Sequence, residues 1–413
     1  MRKLWLSGPA RSLGILISGQ GISALAGLVY GKMTAIYIHP DTWGDYNLWF
    51  ITMTLLHSLF VSPTLQAFKA ALGHFEGRQV VTFYSRWLGA TYLLLAGLML
   101  LSGLYYQNTI FVLCWMTVAG QGIFQFGSNY LNASGQHRQY TLLQTGYSIS
   151  TLVSFGFLVV ALNQRTVSGL WQATLLTNVS WAVLAVWQLA EAKSDGFRSS
   201  AGAEAAAIYT AYKRYVWPLL SLAFWTWLIN YADRYLIGLY LTDADVGQYA
   251  MGYSLGSKLL IAVAPLLAFL SPQVLQLRAI DCSHAAVNQF IVFYLIRYVW
   301  LAGAACFVFY IFRNWVGELL LSNQYVVAFS VGPLVAIGYL FLTSTHLLEL
   351  KWYTFGQTRL ILYHNVVGAV LNIVFNLLLI PRMGIMGAAL ATLIGFFGQF
   401  ILAYWLFTKP TES

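Results

Sequence analysis

Charge is what this sequence has least of. Only 8% of its 413 residues are Asp, Glu, Lys or Arg, a third of the roughly 25% that a soluble domain carries. No water-facing surface can be built from so few charges, which excludes a soluble protein and leaves an integral membrane protein. Cysteine is nearly absent too. Cys114, Cys282 and Cys306 are scattered, two of them in apolar stretches, so neither a disulfide framework nor a metal site is expected. Negative charge is the scarcer sign, 13 acids against 22 Lys and Arg, for a net charge of +9. The bases are spread over loops and form no stripe, so no nucleic-acid partner is expected. Long polar loops are missing as well, which leaves no room for an extramembrane catalytic domain; an enzyme is not expected and no catalytic residue is assigned.

What is present is apolar: 59% of residues are hydrophobic and 16% aromatic. A hydrocarbon core of ~30 Å takes about 20 apolar residues of helix. That ruler marks twelve spans, at 13–38, 47–67, 86–105, 109–131, 140–162, 168–190, 215–241, 247–271, 289–312, 325–348, 358–380 and 386–408. The first apolar run is longer than a signal-peptide core of ~7–15 residues and is not ended by a small-residue cleavage site, so it reads as a retained helix. The Lys/Arg bias sets orientation. With both termini cytoplasmic, 15 of the 22 bases fall on the cytoplasmic side, five on the outer side, and Lys258 and Arg297 lie inside spans. The segment 191–214, containing "AGAEAAAIYTAYKRY", sits between spans six and seven and reads as a cytoplasmic linker, a candidate for an in-plane amphipathic helix. It separates an N-terminal six-helix lobe, 1–190, from a C-terminal one, 215–413.

The two lobes repeat one another. In "IYIHPDTWGDY" (36–46) and "LYLTDADVGQY" (239–249), Tyr37 pairs with Tyr240, Gly44 with Gly247 and Tyr46 with Tyr249, at an offset of 203; Asp41 falls opposite Ala244, so the acids are only near matches. "GQHR" (135–138) and "GQTR" (356–359) match at offset 221, and "GLWQATLL" (169–176) and "GAALATLI" (387–394) at 218. Three matches in one order, each joining equivalent spans, define a repeat. Because six is even, the halves run parallel, a plan that transporters use around a midplane site.

Three segments carry a family resemblance. "DRYLIGLYLTDADVGQYAMGYSL" (233–255), "IPRMGIMGAALATLIG" (380–395) and "LNASGQHRQYTLLQ" (131–144) resemble segments of the bacterial lipid-linked polysaccharide (O-antigen, Wzx-type) flippases of the multidrug/oligosaccharidyl-lipid/polysaccharide exporter superfamily. The resemblance spans the chain. It implies an all-α, MATE-like fold, two parallel six-helix lobes around a central cavity, working by alternating access in the bacterial inner membrane. It implies a cargo of undecaprenyl-diphosphate-linked oligosaccharide, with a polymerase or glycosyltransferases working beside the flippase. No cofactor is implied beyond possible coupling to an H⁺ or Na⁺ gradient.

The few charges inside spans are the candidate site. A charge at the bilayer centre costs about 2.5–3.5 kcal/mol on insertion scales, so it faces a cavity or a partner. At a rise of 1.5 Å per residue, Lys258 lies roughly 16 Å deep, Arg297 about 12 Å from the cytoplasmic face and Arg234 about 10 Å from the outer face; Lys32 occupies the matching part of the first lobe. Four cations against one embedded acid, Asp233, suit an anionic lipid diphosphate. Asp233 is then the candidate for a coupling ion or an ion pair, but not with Arg234, since adjacent helical residues diverge. The alternatives are snorkelling to headgroups for Lys32 and Arg234 and a structural ion pair for Arg297. Polar residues such as Gln144, His346, His364, Asn372 and Asn376 are expected mainly as interhelical hydrogen bonds.

Three rival functions compete. A drug exporter of the same superfamily with cationic cargo needs an acidic cavity, and the first lobe has no acid in any span, only Asp41 and Asp45 in an outer turn. An O-antigen polymerase or ligase needs a long outer loop that is absent. A peptidoglycan-precursor flippase is less expected, because such proteins commonly have more spans than twelve.

Overall fold

A computed structural model describes residues 2–72, 75, 77–194, 203–258, 263–281 and 284–409. Part of the linker expected at 191–214 lies outside the described residues. Fifteen α-helices follow one another: α1 (Arg2–Tyr37), α2 (Pro40–Leu56), α3 (Ser62–Leu72), α4 (Gly77–Tyr106), α5 (Ile110–Ala133), α6 (His137–Phe155), α7 (Val167–Ser194), α8 (Ala203–Tyr240), α9 (Asp243–Ser257), α10 (Val263–Asp281), α11 (His284–Ile311), α12 (Arg313–Leu320), α13 (Ala328–Phe355), α14 (Thr358–Met383) and α15 (Ile385–Thr408). A helix stands at each of the twelve expected spans, and no strand occurs among the described residues. Nine described segments are long and apolar enough to cross a membrane. Leu93 and Trp300 are 75% and 77% exposed on α4 and α11, a surface that only lipid would tolerate at this density of apolar side chains.

Several boundaries move for local reasons. The second span runs over Pro40–Leu72, so Asp41 and Asp45 lie in the first turns of α2 rather than in a loop, and Asp41 takes a 2.6 Å contact from His39. A π-helical turn at His57–Val61 joins α2 to α3. Pro63 just beyond it has no N–H to donate back, which is where an α-helix widens. The tenth span was expected to end at residue 348, where the apolar run stops. Helix α13 continues to Phe355 and stops at Gly356, whose φ of 72° is left-handed.

The fold comprises two compact units: Met1–Ile38 with Trp49–Phe224, and His39–Leu48 with Trp225–Ser413. The repeat is visible in both. In the first, α5 packs on α7, α6 on α7 and α4 on α5; in the second, the equivalent pairs α13–α15, α14–α15 and α11–α13 pack likewise. The two Gly-Gln-x-Arg turns fold identically. Gly135 and Gly356 have φ of 77° and 72°, and Gln136 and Gln357 donate their N–H groups back to Leu131 O (2.9 Å) and Trp352 O (2.8 Å). Only glycine takes this conformation without strain. Many polar residues serve as interhelical bonds: Gln144 Nε2 donates to Ser128 Oγ at 2.8 Å, and Tyr147 to Asn178 Oδ1 at 3.0 Å.

The first repeat pair meets face to face within the second unit. A Cβ on Gly44 would lie 1.8 Å from Asp243 O, and one on Gly247 would lie 2.0 Å from Pro40 O. Pro40 and Asp243 are themselves equivalent under the offset of 203, so the first turns of α2 and α9 cross backbone to backbone in a symmetrical contact. Thr242 caps α9 in a capping box with Asp245. Gly247→Ala is expected to lower stability by about 1–3 kcal/mol, as overpacking does, seen as a lower midpoint in thermal unfolding of the detergent-solubilised protein. Gly89→Ala, where a Cβ meets nothing within 4 Å, should leave the midpoint unchanged or slightly raised.

Candidate functional site

The site forms where five helices of the second unit bring polar groups into its apolar core. Helix α8 supplies Asn230, Asp233 and Arg234; α9 supplies Tyr249 and Tyr253, one turn apart on one face. Asp233 is fully buried and Arg234 is 5% exposed. Asp233 Oδ1 accepts the Arg234 backbone N–H at 2.8 Å and lies 3.4 Å from Arg234 Nη1. Its Oδ2 accepts the Tyr249 hydroxyl and, at 3.4 Å, the Thr392 hydroxyl of α15. The carboxylate therefore has a partner on each oxygen, the condition for keeping a charge out of water.

The expectation that Asp233 and Arg234 diverge is corrected by this geometry. Their Cβ bonds do diverge, but an arginine is long enough to fold back along its own helix. Arg234 Nη1 donates to Asn230 O, one turn earlier, at 2.9 Å, and meets Asp233 on the way. The guanidinium is enclosed by aromatic rings: its Cζ lies 4.3 Å from the Tyr253 centroid, 5.3 Å from Tyr231 and 5.8 Å from Tyr249. Such faces are worth about 2 kcal/mol or more to a desolvated cation. The snorkelling alternative fails for Arg234, since it is held in the core. Its Nε–H has no hydrogen-bond partner among the described residues.

The network continues outward. Thr392 Oγ1 lies 3.1 Å from the Tyr249 hydroxyl and accepts from Asn372 Nδ2 at 3.4 Å. Asn376 Nδ2, one turn along α14, donates to Asn372 O at 2.8 Å and Oδ1 at 3.0 Å. Tyr339 of α13 donates to the Tyr253 hydroxyl at 2.9 Å, and Tyr253 donates to Asn230 Oδ1 at 3.4 Å.

The other expected site residues lie elsewhere. Lys258 is half-buried immediately after the last turn of α9, where the helix dipole favours a cation. Arg297 is exposed on α11, its Nη1 on Phe293 O at 3.1 Å and its Cζ 3.2 Å from the Phe293 ring centroid. Lys32 is half-buried on α1, in the first unit. Asp233 and Arg234 are thus brought together, while Arg297 is held against Phe293 of its own helix.

Asp233 is also not the single embedded acid. The extension of α13 to Phe355 takes in Glu349, which is 5% exposed, and Lys351, whose Nζ donates to Phe407 O at 2.9 Å. Sequence reasoning passed over Glu349 because it stands one residue past the apolar run. The signal that finds it is Gly356, the helix stop. Tyr249 was noticed as a repeat position and not as a site residue; its spacing from Tyr253 and its place behind Asp233 become visible only in three dimensions.

These features belong to an all-helical membrane fold built from two repeated halves. The family model described as "Lipid II flippase MurJ" matches residues 331–412, which include α14 and α15. A probable low-salt glycan biosynthesis flippase, Agl15 of Haloferax volcanii, is 24% identical over 249 residues, 60% of this chain and 50% of that one. A membrane protein of Methanocaldococcus jannaschii, MJ1068, is 31% identical over 95 residues, 23% of this chain and 19% of that one. These matches span half or less of the length of either relative. Among solved structures, the inward closed conformation of the lipid II flippase MurJ superposes with a TM-score of 0.74 at 11% identity, covering 96% of this chain and 87% of that one. An inward-facing multidrug MATE transporter of the same superfamily gives 0.73 at 13% identity, covering 94% and 93%. The Vibrio cholerae MATE transporter VcmN gives 0.67 at 15%, covering 97% and 96%. The expected MATE-like fold is thereby established.

Removing the negative partner exposes what the cage balances. Asp233→Leu leaves Arg234 as an uncompensated buried charge, so a loss of about 3–5 kcal/mol is expected. Asp233→Asn retains an acceptor for Tyr249 and should cost less. Thermal unfolding of the two purified variants, side by side, checks the order.

Proposed function

We propose that the protein is a flippase that carries an undecaprenyl-diphosphate-linked oligosaccharide, an O-antigen or other surface-polysaccharide repeat unit, across the bacterial inner membrane by alternating access. The observation that carries this reading is the similarity over 249 residues to a glycan biosynthesis flippase, because the fold alone is shared with multidrug transporters. The site supports it. Arg234 keeps an unspent donor in a buried aromatic cage, and arginine suits a phosphate through its planar fork. Lys258 and Arg297 add positive charge to the second unit, and Lys32 to the first; tyrosine faces beside Arg234 offer stacking surfaces for sugar rings. Asp233 is the candidate for a coupling H⁺ or Na⁺. The Lys/Arg bias favours termini in the cytoplasm, and a polymerase or glycosyltransferases are the partners of this reading. It carries no catalytic residue in this reading, and needs membrane lipids rather than a cofactor.

A second cargo is favoured by one observation, the lipid II flippase match over residues 331–412. Both cargoes share the lipid diphosphate and differ in what it bears. Deletion of the gene in its host separates them. Accumulation of a lipid-linked oligosaccharide on the cytoplasmic side with loss of surface polysaccharide supports the first reading. Accumulation of lipid II with loss of wall synthesis would replace it by the second, and raised drug sensitivity alone would overturn both. Lys258→Ala and Arg234→Ala proteins that insert normally are expected to restore at most about a tenth of transport, the cost of one charge-assisted contact of about 1.5–3 kcal/mol.

A further inference from the structure

A second buried polar cluster lies in the C-terminal unit, away from Asp233, and the flippase reading makes no use of it. Glu349 on α13 sits between two imidazoles. His346 Nδ1, one turn earlier on the same helix, is 3.0 Å from Glu349 Oε2. His364 Nε2, on α14, is 3.3 Å from Glu349 Oε1, within ion-pair distance though not aligned as a hydrogen bond. His364 is fully buried, tilted against the Trp352 ring at 5.4 Å.

The hydrogen bonds behind His364 fix where its proton sits. Asn365 Nδ2 donates to Ile361 O at 2.8 Å, which leaves Asn365 Oδ1 as the acceptor facing Gln399. The Gln399 amide must then present Nε2, which reaches Asn365 Oδ1 at 3.3 Å and His364 Nδ1 at 3.2 Å. A donor opposite Nδ1 makes Nδ1 an acceptor. The single proton of neutral His364 therefore lies on Nε2, on the Glu349 side. A second proton on His364 would have to break the Gln399 bond in the core.

His346 has no such lock. Its side chain is 41% exposed while that of Glu349 is 6% exposed. We propose that Glu349 and His346, backed by His364 and Gln399, form a proton-binding site in the C-terminal unit, separate from the Asp233 cluster. The step is one proton transfer. A proton from solvent adds to the free imidazole nitrogen of His346, whose Nδ1–H is held by Glu349, and the cluster changes from a net charge of −1 to neutral. A metal ion is not the ligand here: His346 and His364 direct nitrogens at opposite oxygens of one carboxylate, and no metal-holding group of three His, Cys, Asp or Glu residues occurs among the described residues. The charged and titratable groups nearby are engaged elsewhere. Lys351 Nζ donates to Phe407 O, Arg278 of α10 donates to Thr354 O, and the His284 ring of α11 stacks on Phe355 at 3.8 Å. Helix α15 contributes only the neutral Gln399 to the cluster.

Because α13 and α14 meet at this carboxylate and α15 reaches it through Gln399 and His364, protonation of His346 alters a contact in which three helices of one unit take part. The test needs no cargo, so its failure and the failure of the flippase reading are separable. The chain has seven histidines, few enough to assign by substitution in imidazole-labelled protein followed by NMR from about pH 5 to 9. The His364 signal, assigned by its loss in His364→Gln, is expected to remain one neutral tautomer with the proton on Nε2 throughout. The His346 signal is expected to titrate, and to lose about tenfold in proton affinity in Glu349→Gln, as the loss of an adjacent carboxylate does. Gln399→Leu, which leaves Glu349 intact, should convert His364 to a mixture of tautomers. A His346 titration unchanged by Glu349→Gln, or a His364 that titrates as a free imidazole, overturns the proposal.

Discussion

A charge removed from water must be given its partners by the protein, and the second unit is arranged around that constraint. Asp233 and Arg234 are both buried, and the desolvation of each ion costs several kcal/mol even after relaxation. One ion pair at 3.4 Å does not offset this alone. The remainder comes from Tyr249 and Thr392 on the carboxylate, from the Asn230 carbonyl on the guanidinium, and from the tyrosine faces around it. Each partner arrives on a different turn or helix, so the pair specifies how α8, α9 and α15 stand against one another. A hydrophobic core would hold these helices together as firmly, but would tolerate sliding; a saturated polar cluster does not. The Nε–H of Arg234, without a hydrogen-bond partner among the described residues, is the donor this arrangement leaves unspent.

The repeat supplies the frame in which this cluster can be built once and not twice. Gly44 and Gly247 are equivalent, and their mutual approach within the second unit brings the first turns of α2 and α9 to backbone contact. Tyr46 and Tyr249 are equivalent too, and both are buried. Tyr249 faces Asp233, whereas the first-half position equivalent to Asp233 under the offset of 203 is Tyr30. The two halves thus share backbone geometry, including the left-handed glycines of the Gly-Gln-x-Arg turns, while the ionisable chemistry is concentrated in the second.

The helices were legible in the sequence because each is written as an apolar run of membrane length, and their parallel pairing because the glycines recur in order. The charges of the site were legible by the same logic, as rare ions in an apolar chain. What was not legible was direction. Sequence spacing sets Asp233 and Arg234 on diverging bonds, yet arginine's reach closes the gap. Glu349 was hidden for a different reason. Hydropathy ends span ten at Leu348, whereas the helix ends where its backbone does, at Gly356. An apolar run measures the depth of hydrocarbon and not the length of a helix, so the acids of the last turns are those a hydropathy reading loses.

That distinction bears on how ionisable groups are distributed in the second unit. Asp233 lies beyond the reach of water, with both oxygens occupied by donors from the core. Glu349 is nearly as buried, but one of its two imidazoles, His346, is partly exposed. The two acids therefore differ in the exposure of their partners more than in their own burial. Helices α13 and α15 contribute to both clusters: Tyr339 and Thr392 at one, Glu349 and Gln399 at the other. Tyr339 and Glu349 are ten residues apart on a single helix, about 15 Å by helical rise. One helix therefore carries a residue of each cluster at a set separation.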